Sequence, residues 1–183
     1  MLIHPAWIMW ESALTDEQCD EIIASGLTQE AKKATTFRSD NDDHRKTQVR
    51  WLQPDDFPEI HDIVAGFAVA ANEHFKLEID SLPYLQFTEY IGEGYKYDDH
   101  HDVDWDRQDG QHRKISVIIQ LSDPDDYEGG EFRFITTENP DGEKVKKRGT
   151  VIAFVSYYEH AVFPLSSGNR TSLVAWVEGP RWR

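Results

Sequence analysis

Cysteine is almost missing from this chain. The single residue, Cys19 among 183, excludes an intramolecular disulfide and any zinc site built on thiolates. Positive charge is also scarce, with 19 Lys and Arg against 34 Asp and Glu and a formal net charge of −15. That balance works against binding of extended nucleic acid, whose phosphates are held mainly by Lys and Arg, and against anionic membrane surfaces. Long apolar runs are the third absence. The opening stretch MLIHPAWIMWESALTDEQ has neither a basic head nor an unbroken apolar segment. The sequence therefore predicts no signal peptide and no membrane span, and a cytoplasmic setting by default. There is no internal repeat and no low-complexity tract.

What is present suits one packed domain spanning residues 1–183. The apolar fraction is 39% and the aromatic fraction 12%, enough for one sizeable core at this length. Thr15 followed three residues later by Gln18 forms a capping-box pattern. Cys19, Ile22 and Ile23 continue it as an apolar helical stripe, and Gly26 is the expected stop. A second helix is predicted from Pro58, with Ile60, Ile63, Val64, Phe67 and Ala71 at helical spacing on the face that packs on a sheet. Between the helices, Thr35–Gln48 (TTFRSDNDDHRKTQ) reads as a solvated loop or a flap over a site.

After Pro83 the pattern changes to short strands divided by turn signals. Leu85–Ile91 alternates, with Gln86, Thr88 and Tyr90 on one face, and Ile115–Leu121 is a run expected of a strand buried on both faces. Glu131–Ile135, Val151–Val155 and Thr171–Val177 are further candidates, and Glu138–Arg148 reads as a hairpin loop with its lysines in water. Strands at this spacing after two helices suggest a β-sandwich or barrel backed by N-terminal helices.

Within the strand region, His100 and Asp102 are two residues apart, so in extended chain both side chains emerge on one face and can grip one ion. Two histidines and one carboxylate on one side of an octahedral metal leave three positions open for chemistry. His160, beyond Val151–Val155, is the candidate for the third ligand. The neighbouring pair His101 and Asp104 has odd spacing and splays across the strand. Ten residues past His160, Arg170 heads the segment RTSLVAW. A guanidinium entering an apolar barrel is costly unless it meets an anion, and its fork suits a carboxylate.

Taken together these segments resemble the prolyl-4-hydroxylase-type branch of the 2-oxoglutarate- and Fe(II)-dependent dioxygenases. The resemblance runs through LTDEQCDEII, TQVRWL, YIGEGYKYDDHHD, SVIIQLSDPDDYEGGEFRF and GTVIAFVSYYEHAVFPLSSGNRTSLVAWVEGP. The ordered tail of distal His, Pro, Gly, Arg, Ser and Trp is its most specific part. The resemblance implies a mainly β fold with flanking helices, a double-stranded β-helix or jelly roll.

It also implies Fe(II) held by His100, Asp102 and His160, and 2-oxoglutarate held by Arg170, with Tyr90 and Ser172 on the co-substrate side. Trp176, Trp105 and Tyr97 would lie on the substrate side, with Asp104 and Tyr157 as further candidates for the entrance. Many relatives carry a tyrosine beside the distal carboxylate of the co-substrate where this chain has Gln120, whose amide is able to donate the same bond. The implied reaction consumes O2 and 2-oxoglutarate, yields succinate and CO2, and hydroxylates a protein or peptide side chain, proline first, with ascorbate as reductant. A carboxylate ligand at Asp102, where a halide would need an open position, favours hydroxylation over halogenation. Two other readings stand beside it: an oxygenase of a small molecule such as a free amino acid, and a catalytically silent metal-binding domain.

Overall fold

The computed structural model describes residues 4–34, 44–81 and 83–183. In chain order these form β1 (Trp7–Trp10), α1 (Asp16–Leu27), β2 (Lys32–Lys33), β3 (Arg45–Lys46), β4 (Gln48–Leu52) and α2 (Pro58–Phe75). Then come β5 (Tyr84–Ile91), β6 (Lys96–His100), β7 (Gln111–Gln120), β8 (Tyr127–Gly129), β9 (Phe132–Phe134), α3 (Gly142–Lys146), β10 (Val151–Val155), β11 (His160–Val162) and β12 (Leu165–Pro180). Residues 35–43, most of the segment expected as a loop or flap, lie outside the described residues.

Among the described residues the strands form two antiparallel sheets. The major sheet runs β1-β10-β7-β12-β5-β4-β2, with β8 paired to the start of β12, and the minor sheet runs β3-β6-β11-β9. Two helices followed by antiparallel strands in these orders make a jelly roll backed by N-terminal helices, as the sequence predicts.

The strand pleat sorts side chains between two cores. On one face of the major sheet Leu85, Phe87, Ile115, Val117, Ile119, Leu173, Ala175 and Val177 pack with Ile22 of α1 and Val64, Ala68 and Ala71 of α2. On the other face Tyr90, Ile118, Ile152 and Phe154 meet Phe132, Phe134 and Val162 from the minor sheet. Strand β7 is thus buried on both sides, which accounts for its continuous β-branched run.

Helix α1 starts as expected, with Gln18 N–H donating to Thr15 Oγ1 (3.2 Å) and Thr15 N–H donating to Gln18 Oε1 (2.9 Å). It does not stop at Gly26, which lies inside the helix with Thr28 as the C-cap. A Cβ at Gly26 would sit 2.5 Å from Phe87 Cγ, so the missing side chain lets α1 approach the sheet. Glu138–Arg148 also differs from expectation. Asp141 caps α3 by accepting from Glu143 N–H (3.0 Å) and Val145 is buried, while Lys144 and Lys147 are exposed to water as expected and pair there with Glu11. Strand β12 begins five residues before Arg170 because Leu165 and Gly168 pair with Gly129 and Tyr127, so Arg170 lies within the strand and not at its head. Among the described residues no helix is long and apolar enough to cross a membrane.

Candidate metal centre

Strands β6 and β11 pair antiparallel with His100 opposite His160. Asp102 lies just past the end of β6, where its N–H donates to the carbonyl of Ser156 (2.9 Å), at the turn following β10. The sequence reading placed His100 and Asp102 on one extended strand. The structure reaches the same convergence differently, because this backbone clip, not the strand pleat, aims the carboxylate. His100 Nε2 is 3.7 Å from Asp102 Oδ1, and His160 Nε2 is 3.7 Å from Asp102 Oδ2. All three ligand atoms fall within 4.8 Å of one another, compact enough for one ion.

The surroundings prepare these groups to bind a cation. His100 Nδ1 is 2.7 Å from the carbonyl of Asp98, and His160 Nδ1 is 3.0 Å from the carbonyl of Tyr158. A carbonyl only accepts, so each Nδ1 carries its hydrogen and each Nε2 presents a lone pair to the site. Burial, reinforced by the neighbouring His160, pulls the His100 pKa down to about 3, so its imidazole is neutral as a metal ligand must be. For Asp102 burial acts the other way, but His160, His100, Arg113 and the bond from Ser116 outweigh it and bring the carboxyl down to about 2. Ser116 Oγ donates to Asp102 Oδ2 at 2.6 Å and lies 2.9 Å from Ser156 Oγ. Aromatic rings fix both imidazoles: Tyr97 stacks on His100 with 3.4 Å between centroids, and Phe154 meets His160 edge-on at 4.7 Å. The donor set, its protonation and its orientation fit a divalent iron that keeps open coordination positions.

The ligands border a cavity whose opposite wall is the polar face of β5 and β12, with Gln86, Thr88 and Tyr90 on one strand and Arg170, Ser172, Val174 and Trp176 on the other. The sheet register sets Arg170 beside Tyr90 and Ser172 beside Thr88. Arg170 is 3% exposed, and its guanidinium lies 5.2 Å from the centroid of the Tyr90 ring. At the other end Trp176 carries an indole Nε1 with no hydrogen-bond partner, and the guanidinium of Arg113 lies 3.8 Å from its ring centroid.

Of the residues singled out from sequence, His100, Asp102, His160, Arg170, Tyr90, Ser172, Trp176 and Tyr97 all line this cavity. Gln120 and Trp105 do not. Gln120 is buried behind the cavity wall, where its amide donates to Tyr127 Oη (3.0 Å). Trp105 packs edge-on against His101 and His112, donating its indole N–H to His101 Nε2 (3.2 Å). Tyr157 is likewise engaged elsewhere, against Tyr158 and Trp182.

Sequence reasoning missed Arg45 and Ser116. Arg45 sits in the charged stretch read as solvated, yet it is buried in the cavity wall, donates to Thr47 Oγ1 (3.0 Å) and Gln86 Oε1 (2.9 Å), and lies over the Tyr97 ring. Its signal is visible only after the fact, since Lys46 and Thr47 lead directly into the apolar strand QVRWL.

Comparison with known proteins agrees with this geometry. Two PKHD-type hydroxylases are similar in sequence. That of Maricaulis maris is 36% identical over 70 residues, covering 37% of this chain and 31% of the relative. That of Acaryochloris marina is 36% identical over 108 residues, covering 57% and 47%. The match thus spans about half the length of these relatives or less. Solved structures share the fold at low identity. A Pseudomonas putida prolyl-4-hydroxylase has a TM-score of 0.74 at 20% identity, covering 98% of this chain and 94% of that one. A viral collagen prolyl hydroxylase from Paramecium bursaria Chlorella virus-1 has a TM-score of 0.72 at 21%, covering 96% and 97%. Residues 85–178, just over half the chain and the part that carries His100, Asp102, His160 and Arg170, match the 2OG-Fe(II) oxygenase superfamily, and the chain belongs to it.

Proposed function

We propose that this protein is an Fe(II)- and 2-oxoglutarate-dependent hydroxylase acting on a protein or peptide side chain, with proline the first to test. The observation that carries the reading is one cavity with two poles. His100, Asp102 and His160 converge at one, and the buried Arg170 stands at the other, with no acidic side chain among the residues lining the cavity between them except Asp102 itself. In this reading the two imidazoles and the carboxylate hold iron. Arg170 receives the distal carboxylate of 2-oxoglutarate, Tyr90 and Ser172 flank its chain, and Tyr97 and Trp176 face the substrate. Bound there, iron and 2-oxoglutarate supply the activation of O2, with succinate and CO2 as co-products and ascorbate as the external reductant. The chain itself orients the ligands, provides the counter-charge and walls the site with aromatic rings that keep water out.

A peptide substrate is supported by the neighbours in fold. Besides the two prolyl hydroxylases above, a Trichoplax adhaerens prolyl hydroxylase in complex with a peptide fragment of the hypoxia inducible factor oxygen degradation domain has a TM-score of 0.75 at 15% identity, covering 94% of this chain and 83% of that one. The cytoplasmic setting read from the sequence belongs to the same proposal.

Uncoupled turnover tests the activity. Protein supplied with Fe(II), ascorbate and 2-oxoglutarate releases succinate slowly, and His160→Ala abolishes that release. Equal succinate from wild type and variant would remove the enzyme reading. Mass spectrometry of host proteins with and without the active enzyme, searching for gain of one oxygen, then identifies the substrate.

A further inference from the structure

Resting on the reading of His100, Asp102 and His160 as an iron centre that takes 2-oxoglutarate, we infer that Ser116 and Ser156 are positioning residues. Together they hold one carboxylate oxygen of Asp102 back, so that only the other serves the metal. The number of coordination positions makes this matter. In an octahedral centre three protein atoms leave three positions, two for the keto acid and one for O2. A carboxylate gripping through both oxygens would take the last of them.

The carboxylate stands where either outcome is within reach. Oδ1 lies 3.7 Å from His100 Nε2 and Oδ2 lies 3.7 Å from His160 Nε2, so both oxygens face the site. What distinguishes them lies behind. Oδ2 accepts from Ser116 Oγ at 2.6 Å, a short charge-assisted bond, while Oδ1 receives no hydrogen bond among the described contacts. The bond draws charge toward Oδ2 and fixes the rotation of the carboxylate plane, leaving Oδ1 as the oxygen with its lone pairs uncommitted.

The hydrogen count shows that the second serine belongs to the same device. A metal-binding carboxylate is deprotonated and accepts only, so the Ser116 hydrogen goes to Asp102. Ser156 Oγ lies 2.9 Å from Ser116 Oγ, and the hydrogen between the two hydroxyls is therefore the one on Ser156. The chain from Ser156 through Ser116 to Asp102 is polarised in one direction, each bond strengthening the next. Both serines are fully buried, so solvent does not compete for their hydroxyls. Ser156 also clips the ligand through its backbone. Its carbonyl accepts from Asp102 N–H (2.9 Å), and its N–H donates to the carbonyl of Lys114 on β7 (3.0 Å), two residues before Ser116. The backbone bonds fix where the carboxylate is, and the hydroxyls fix how it is turned.

Nitric oxide, an O2 surrogate that gives Fe(II) a characteristic electron paramagnetic resonance signal, tests this. It is titrated anaerobically into the full chain at saturating Fe(II), with and without saturating 2-oxoglutarate. Wild type is expected to bind it in both states. Ser116→Ala is expected to lose about tenfold or more of nitric oxide affinity with 2-oxoglutarate present, the range for one hydrogen bond to a charged group. Without 2-oxoglutarate it should lose none, because a fourth protein atom on the metal crowds the site only once the keto acid is bound. Ser156→Ala, which leaves Ser116 on the carboxylate without its own donor, should shift the same contrast by less. A Ser156→Ala contrast equal to wild type overturns the assignment of Ser156. Undiminished affinity of Ser116→Ala with 2-oxoglutarate present overturns the whole inference, as does an equal loss in both states, which marks general loosening. Failure of wild type to take up 2-oxoglutarate, read by calorimetry with Mn(II) in place of Fe(II), overturns the parent reading and this one with it.

Discussion

The two faces of the major sheet are made by the same three strands and do opposite work. Toward the helices, β5, β7 and β12 present Leu85, Phe87, Ile115, Val117, Ile119, Leu173 and Ala175, an apolar surface continued at its edge by Glu89 and Thr171, which hydrogen-bond Arg50 and Ser122. Toward the minor sheet, the alternating positions include Gln86, Thr88, Tyr90, Ser116, Gln120, Arg170 and Ser172, all buried and polar, beside the apolar Ile118 and Val174. Burying such groups is unfavourable unless each finds a partner. The partners come from other elements, Asp102 for Ser116, Tyr127 for Gln120 and Arg45 for Gln86, while Arg170 lies over the Tyr90 ring. The helix-side face holds the molecule together, and the cavity-side face holds a site ready.

Substitutions on the two faces should therefore separate stability from binding. The largest effect is expected from Phe87→Ala, which opens a cavity beneath Gly26. Unfolding in urea should show a loss of about 3–5 kcal/mol, with the affinity of the remaining folded protein for Mn(II) unchanged. Arg170→Ala, on the cavity side, should raise the 2-oxoglutarate requirement about a hundredfold, from the loss of a charge-assisted clasp. The iron requirement should hardly move, and equal shifts in both would dissolve the distinction between the two poles. Ser116→Ala removes the hydroxyl bond to Asp102 Oδ2. It should weaken metal binding by roughly tenfold, the lower end for a partner of a ligating carboxylate, with the urea midpoint nearly unmoved.

The smallest effect concerns the helix side. His61 of α2 is 4% exposed, and burial lowers its pKa. Below its unfolded value of about 6.5 the unfolded chain takes up a proton that the native chain resists, so native stability falls as pH drops through that region and is fully present above it. His61→Leu should flatten the part of the pH dependence between about pH 7 and pH 5. An unchanged slope would show that His61 titrates alike in the native and unfolded protein.

Much of the site could be read from the chain. The alternation of Gln86, Thr88 and Tyr90 is a local pattern, and it survives folding because a strand's pleat is a two-residue repeat. Strand β10 falls at the predicted residues, Val151–Val155, because it is apolar and bounded by a turn. The misreadings occur where tertiary contact overrides local preference. Gly26 is a helix-stop residue by composition, yet it is used as a gap for Phe87. The polar stretch Glu138–Arg148 coils into α3 once Asp141 caps it and Val145 finds the core. Arg45 belongs to a charged segment and is legible as buried only when Gln86, forty-one residues away in sequence, stands beside it.

Residue type and period determined a β-sandwich or barrel backed by helices and picked out His100, Asp102, His160 and Arg170, and the family resemblance narrowed the fold to a jelly roll. Only the tertiary structure decided which groups serve those residues. Asp102 is aimed by a backbone bond to Ser156, and Gln120 stands behind Tyr127 instead of in the cavity. Hydrogen-bond partners come from strands distant in sequence, and their identity depends on register and on a backbone approach that no local pattern encodes.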